Sequence, residues 1–188
     1  IDKFNQAFLF EYGSSWLDFT NLKLSKKNHI TFITSSKNRT TGHKLRNKVY
    51  RFIKDRSCFN QFIYISHKSP PFHTRRNDFF ETSMFHIAIE NCRQNNFFSE
   101  KVIDCFASKT IPIYYGCPNL GDWFDMSGVL TFSNLRDLKS ILDSLDESFY
   151  FSRNEVINYN FEIAKKFCSS NDVVTRLTSR ISKDIYAT

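Results

Sequence analysis

The sequence predicts an α/β protein, a parallel sheet with helices on both faces. Two observations carry this. Short apolar segments alternate with helical patterns along most of the 188 residues, the order expected of strands joined by crossover helices. The central segments, residues 84–89 and 111–115, are apolar at successive positions apart from His86, as strands covered on both sheet faces must be.

In chain order, residues 1–28 mix aromatic and polar side chains without a clean period and read as a lead-in, with Trp16 anchoring a surface loop. Ile30 to Thr34 is β-branched and aromatic, a short buried strand. A polar loop, Ser35 to Gly42, precedes a helix from about Lys44 to Lys54. Its apolar stripe is Leu45, Val49, Phe52 and Ile53, with Lys44, Lys48 and Arg51 on another side. Residues 62–65 form a further strand, and His67 to Asp78 is a loop or short helix. After the strand at 84–89 come a polar loop, 91–96, and a helix capped by Ser99 that turns Val102, Ile103, Phe106 and Ala107 to one side. Lys109-Thr110 ends it, the strand at 111–115 follows, and Gly116-Cys117-Pro118 breaks the chain before a short helix. This is a βαβ unit with an expected right-handed crossover. A strand at 129–132, a helix from a Ser133/Asn134 cap to about Leu145, one helical stretch over 147–168 and a last helix from about Asp172 to Ile185 complete the chain.

Composition narrows the function. The net charge of +7 calls for an anionic partner: phosphates, nucleic acid or an acidic surface. Between Lys37 and Arg56 stand eight Lys/Arg and one acid, Asp55, so the charge is concentrated. No run of about 18 apolar residues suggests a membrane span. The N-terminus lacks the basic start and small-residue cleavage site of a signal peptide, and the chain starts without Met, as a fragment or processed product does. Five cysteines (58, 92, 105, 117, 168) show no metal-ligand spacing and read as free thiols in a reducing compartment. The expected setting is cytoplasmic, with a membrane surface as one place for the positive charge. The five histidines (29, 43, 67, 73, 86) are scattered and read as structural or solvated. No G-x-G-x-x-G, Walker loop or G-x-S-x-G is present, which removes dinucleotide oxidation, P-loop phosphoryl transfer and serine hydrolysis of the elbow type.

The polar residues that remain cluster where a buried strand gives way to a helix: Glu90, Asn91, Ser99, Glu100 and Lys101. Ligands bind at the carboxyl ends of parallel strands in open α/β sheets. The first turn of the helix offers N–H groups and partial positive charge, and Lys101 adds a full one. The Glu100 carboxylate suits paired ribose or sugar hydroxyls. Arg46, near the start of the first helix, can fork onto a phosphate. Together these suggest a sugar nucleotide or another phosphorylated ligand; the alternative is an ordinary capped helix with a solvated Glu–Lys pair. Glu90, beside a buried strand end, reads as an acceptor of backbone donors rather than a general base.

The segments Glu90-Asn91, Ser99-Glu100-Lys101 and Thr110-Ile-Pro-Ile-Tyr-Tyr-Gly116 resemble the signature of the α-1,3-fucosyltransferase family. The resemblance continues through Pro118-Asn119-Leu120-Gly121, and upstream through Ser35-Ser36-Lys37 and Gly42-His43-Lys44-Leu45-Arg46, over roughly residues 10–170. Ser99 stands where the family has Thr, and Phe97 where some members carry Tyr. The resemblance implies a Rossmann-like fold, the C-terminal donor lobe of a two-lobed (GT-B type) glycosyltransferase. It makes 1–28 a hinge remnant and 29–188 a nucleotide-sugar-binding domain, with an N-terminal lobe missing.

The implied reaction is an inverting transfer of fucose from GDP-fucose to a glycan hydroxyl, as in protein glycosylation or glycan synthesis. Arg46 and Lys101 would neutralise the leaving diphosphate, Ser36 would contact phosphate, Asn91 would hydrogen-bond the donor and Glu100 would hold its hydroxyls. No cofactor or protein-bound metal is required, although a divalent ion bridging the phosphates is compatible with the scheme. Other readings are a glycosyltransferase using another nucleotide sugar, a silent nucleotide-sugar binder, and a nucleic-acid-binding module. The last needs exposed aromatics interleaved with the basic helix.

Overall fold

The centre of the molecule is a five-stranded parallel sheet in the order β2-β1-β3-β4-β5. The structure, a computed structural model, describes residues 13–17, 21–54, 62–67, 79–167 and 172–186. The strands are β1 (Lys27–Thr34), β2 (Phe62–His67), β3 (Ser83–Ile89), β4 (Ile111–Tyr115) and β5 (Leu130–Thr131). The helices are α1 (Thr41–Lys54), α2 (Glu100–Ala107), α3 (Leu135–Ser144), α4 (Glu147–Phe151), α5 (Asn154–Ala164) and α6 (Asp172–Tyr186). From β1 the chain moves outward to β2, then returns to the other side of β1 to form β3. The direction of winding therefore reverses between β1 and β3, the place where open α/β sheets form a crevice.

Alternation along the strands explains the two cores. All seven β3 residues are buried, and neighbours in sequence point to opposite faces. On one face Ala88 and Tyr114 pack with Val102, Ile103 and Phe106 of α2, and with Ala164 and Phe167 beyond them. On the other, Ile87, Ile89 and Ile113 pack with Val49 and Ile53 of α1, Leu138 and Leu142 of α3, and Tyr150 of α4. The abundance of Phe becomes legible here. Phe98, Phe124 and Phe167 form edge and tilted contacts under the loop that precedes α2.

Several boundaries differ from the sequence expectation. β1 starts at Lys27, since its backbone already pairs with Ser83 there, across a register irregularity before Ile30. Its polar start, Lys27-Asn28-His29, concealed the pairing. The strand start thus lies inside the segment expected to be a lead-in. α1 begins at Thr41 rather than Lys44. β5 is only Leu130–Thr131, because Val129 N–H turns back to the Met126 carbonyl. The expected single helix over 147–168 is three pieces: α4, α5 and a 3-10 turn at Lys165–Phe167. At the first break the Arg153 guanidinium lies 3.6 Å from the Phe149 ring centre, and no side chain caps α5. The loop expected over 67–78 falls largely outside the described residues, as do Cys58 and Cys168; His67 itself ends β2. Cys92, Cys105 and Cys117 are free thiols.

Candidate functional site

A cleft of about 520 Å³ opens at the carboxyl ends of β1 and β3. Its walls include Thr34 and Ser35 leaving β1, Ile87 to Ile89 and Asn91 of the β3 end, His43 and Arg46 from α1, and Ser99, Glu100 and Lys101 at the start of α2. The helices reach this point for local reasons. Gly42 N–H donates to the Asn91 carbonyl at 3.0 Å, and a Cβ on Gly42 would lie 1.7 Å from the Glu90 carbonyl oxygen. Only glycine lets the first turn of α1 press so closely on the end of β3. Arg46, one turn further on, then reaches across, and its Nη2 donates to Asn91 Oδ1.

The α2 side is built on Glu90. Its side chain is fully buried, with Oε1 accepting from Ser99 N–H at 2.9 Å and Oε2 from the Ser99 hydroxyl at 2.7 Å. Lys101 Nζ lies 3.4 Å from Glu90 Oε2 and 2.9 Å from Glu100 Oε1, and donates to Ser99 Oγ at 2.8 Å. Ser99 is the N-cap of α2, its side chain accepting from Lys101 N–H, as expected of that residue type. Glu90 is therefore the structural acceptor anticipated, although the Ser99 side chain and Lys101 share in satisfying it. The loop before Ser99 is pinned by a second polar pair. Asn96, at φ 62°, donates N–H to Asn119 Oδ1 at 2.8 Å and accepts from Asn119 Nδ2 at 2.7 Å. Phe98 is thereby buried while Phe97 lines the cleft.

The electrostatics follow from this packing. Burial pushes the Glu90 carboxyl above its ordinary pKa, against the opposing pull of Lys101 and the Ser99 hydrogen bonds. Burial also lowers Arg46, offset by Glu90 and Glu100, although a guanidinium stays charged at any physiological pH. His43 is lowered by burial first, then by Arg46, Lys37, Lys101 and Arg39. The site is thus a cationic crevice with its acids engaged by Lys101. Among the described residues no group of three or more His, Cys, Asp or Glu could hold a metal ion.

Of the residues named from the sequence, Arg46, Asn91, Glu100 and Lys101 converge on the cleft, whereas Ser36 does not. It is exposed and outside the lining, and its neighbours Ser35 and Lys37 take that wall. Trp16, Thr34, His43, Phe80 and His86 also line the cleft, beyond the site residues expected from the sequence. Thr34 was findable as the last residue of a strand that ends at the site. His43 carries a signal too, three residues after Thr40 at a helix start. Trp16 carries none, because its place depends on a distant contact: its N–H and the Ser15 hydroxyl both donate to Asp104 Oδ1 in α2, at 2.9 and 2.8 Å. It is 55% exposed rather than an anchor. The basic face of α1, Lys44, Lys48 and Arg51, is exposed, but Tyr50 and Phe52 pack on the core. The aromatic interleaving a nucleic-acid groove needs is absent from that helix.

Comparison with known proteins agrees with this architecture. An α-(1,3)-fucosyltransferase of Helicobacter pylori is 32% identical over 71 residues, 38% of this chain and 14% of that protein. Solved structures of an α1,3-fucosyltransferase with GDP and with GDP-fucose superpose with a TM-score of 0.51 at 15% identity, which shows a shared fold. The match covers 75% of this chain and 47% of theirs, so the chain spans about half the length of those structures. No helix among the described residues is long and apolar enough to cross a membrane. Residues 24–178 match the model described as glycosyltransferase family 10 (fucosyltransferase) C-term, and the chain belongs to that family.

Proposed function

We propose that the cleft binds the diphosphate of GDP-fucose and that this chain is the donor-binding part of an inverting fucosyltransferase acting on a glycan hydroxyl. The observation that carries the reading is the convergence of Arg46 and Lys101, with the first turns of α1 and α2, at the reversal point of the sheet. As the sugar carbon leaves the donor oxygen, negative charge grows on the diphosphate. Cations and helix N–H groups already in place stabilise it without reorganising at that moment. Glu100 is held at the cleft by Lys101 and accepts from sugar or ribose hydroxyls. Arg46 occupies Asn91 Oδ1, which leaves the amide N–H2 of Asn91 for the donor.

The reaction also needs a base to take the acceptor proton. Glu90 is committed to Ser99 and Lys101, and Glu100 to Lys101 and the donor. The base therefore belongs to a second lobe facing this one, and the segment before β1 is the hinge to it. The test is GDP release from GDP-fucose, with and without glycan acceptors, by these 188 residues alone and joined to an N-terminal lobe. Transfer should be slow or undetectable alone and acceptor-dependent with the lobe, because an acceptor held in half a cleft lacks fixed geometry. Robust acceptor-dependent turnover by the chain alone would place the base within it.

A further inference from the structure

His43 has a position and a protonation pattern that its role in the fold does not use up. Thr40 stands at the N-cap of α1. Its hydroxyl accepts from His43 N–H at 3.2 Å while its own N–H donates to His43 Nδ1 at 3.2 Å. This is the reciprocal capping box with histidine in the place usually held by Glu or Gln. An Nδ1 that accepts a backbone N–H carries no proton, so the ring proton is on Nε2. The ring lines the cleft, and among the described residues no partner takes Nε2. Beside it, two atoms of other cleft-lining side chains, Thr34 Oγ1 and Arg46 Nε, are buried without a hydrogen-bond partner. Unpaired buried polar groups are rare enough to mark where something else binds.

We propose that His43 is a phosphate-contact residue of this cleft, a neutral donor whose Nε2–H is aimed by the helix cap and given to a ligand phosphate oxygen. The charges around it favour the neutral form. Lys37 and Arg39 approach from the β1–α1 loop, Arg46 from α1 and Lys101 from α2, while the acids opposite, Glu90 and Glu100, are engaged by Lys101. A fifth cation would be repelled; an uncharged N–H is not. Protonation at Nδ1 would also cost the bond from Thr40. The proposal rests on the diphosphate-binding reading, and it adds a contact which that reading did not include.

The experiment uses inorganic pyrophosphate and GDP as separate probes of the full chain. His43→Asn keeps a polar group near Nδ1 but falls short of the Nε2 position, whereas His43→Gln returns an N–H there. A lost hydrogen bond to a charged group corresponds to roughly a tenfold loss or more. His43→Asn should show that loss for pyrophosphate, and His43→Gln should recover most of it. Nitrogen-15 spectra of the unsubstituted chain supply a reading that needs no variant to fold: the His43 ring should be neutral with the proton on Nε2, and that resonance should move on adding pyrophosphate. Unchanged binding by His43→Asn, or a ring that is cationic or protonated on Nδ1 alone, overturns the proposal. If pyrophosphate binds through His43 but no guanine nucleotide is preferred, the donor assignment falls and this contact stands. If neither probe binds, both fall.

Discussion

Glu90 and Ser99 hold each other by two hydrogen bonds, the carboxylate taking the backbone N–H of Ser99 at 2.9 Å and its hydroxyl at 2.7 Å. The end of β3 is thereby locked to the start of α2, and the first-turn Lys101 is delivered to the cleft. A carboxylate buried this deeply is costly unless it is fully satisfied. Here its acceptors are filled by the groups it positions, so the fold and the site share one contact.

That contact carries a pH dependence. Burial raises the Glu90 pKa in the fold, so the folded state favours the protonated carboxyl. Its contribution to stability is full below the ordinary carboxylate pKa and is lost as pH rises through the raised value. Melting temperature followed upward in pH from below the ordinary carboxylate range should therefore fall more in the unsubstituted chain than in Glu90→Gln, which cannot ionise. Parallel curves for the two proteins would show that Glu90 is not perturbed.

The close approach at Gly42 predicts a steep cost for one methyl group. Gly42→Ala sets a Cβ against the Glu90 carbonyl oxygen, 1.7 Å away, and backbone cannot rotate aside as a side chain can. Overpacking of this kind costs about 1–3 kcal/mol, which chemical denaturation reads directly. Gly121→Ala is the control, since there the nearest atom is the flexible Met126 side chain at 3.2 Å. Equal stabilities for the two variants would contradict the packing described at the start of α1.

Lys101 and Lys48 separate a site charge from a surface charge. Lys101→Ala removes one of the two cations proposed for the diphosphate, here assigned to its distal phosphate, worth about 1.5–3 kcal/mol for a charge-assisted bond. GDP binding should weaken roughly ten- to hundredfold, with a much smaller effect on GMP. Lys48 is exposed on the outer side of α1, and its replacement by Ala should change little at moderate salt. Similar losses in both variants would make Lys101 one more surface cation.

The tie between Asp104 and residues 15–16 predicts a local loosening. Asp104→Ala leaves the Ser15 hydroxyl and Trp16 N–H without their shared acceptor. Hydrogen exchange should speed at Trp16 while β3 and β4 stay protected, because local opening does not require global unfolding. Unchanged exchange at Trp16 would mean that its remaining contacts suffice.

Which of these features could be read from sequence follows from their range. The βαβ unit from β3 to β4 was legible because strands buried on both faces are continuously apolar and Ser99 is a strong cap; β4 fell at the expected residues. Arg46, Asn91, Glu100 and Lys101 were legible through local motifs at helix starts and strand ends. The polar opening of β1 was not, since its pairing with Ser83 is a tertiary fact. The break between α4 and α5 was hidden because neither glycine nor proline marks it. Ser36, which the resemblance implies as a phosphate contact, lies outside the cleft lining while Ser35 and Lys37 are in it, and a loop without a period does not disclose which side chains face the cleft. Trp16 was out of reach, since a hydrogen bond to Asp104, 88 residues away, helps to place it.

The proposed function turns on the crevice between β1 and β3 holding a guanosine diphosphate through Arg46 and Lys101. The most direct test is calorimetric titration of the chain with GDP, UDP, ADP and CMP, repeated on Arg46→Ala. GDP should bind more tightly than UDP, ADP or CMP, and Arg46→Ala should lose most of that affinity. Equal binding of all the nucleotides, clear preference for UDP, or GDP binding that survives Arg46→Ala would contradict it.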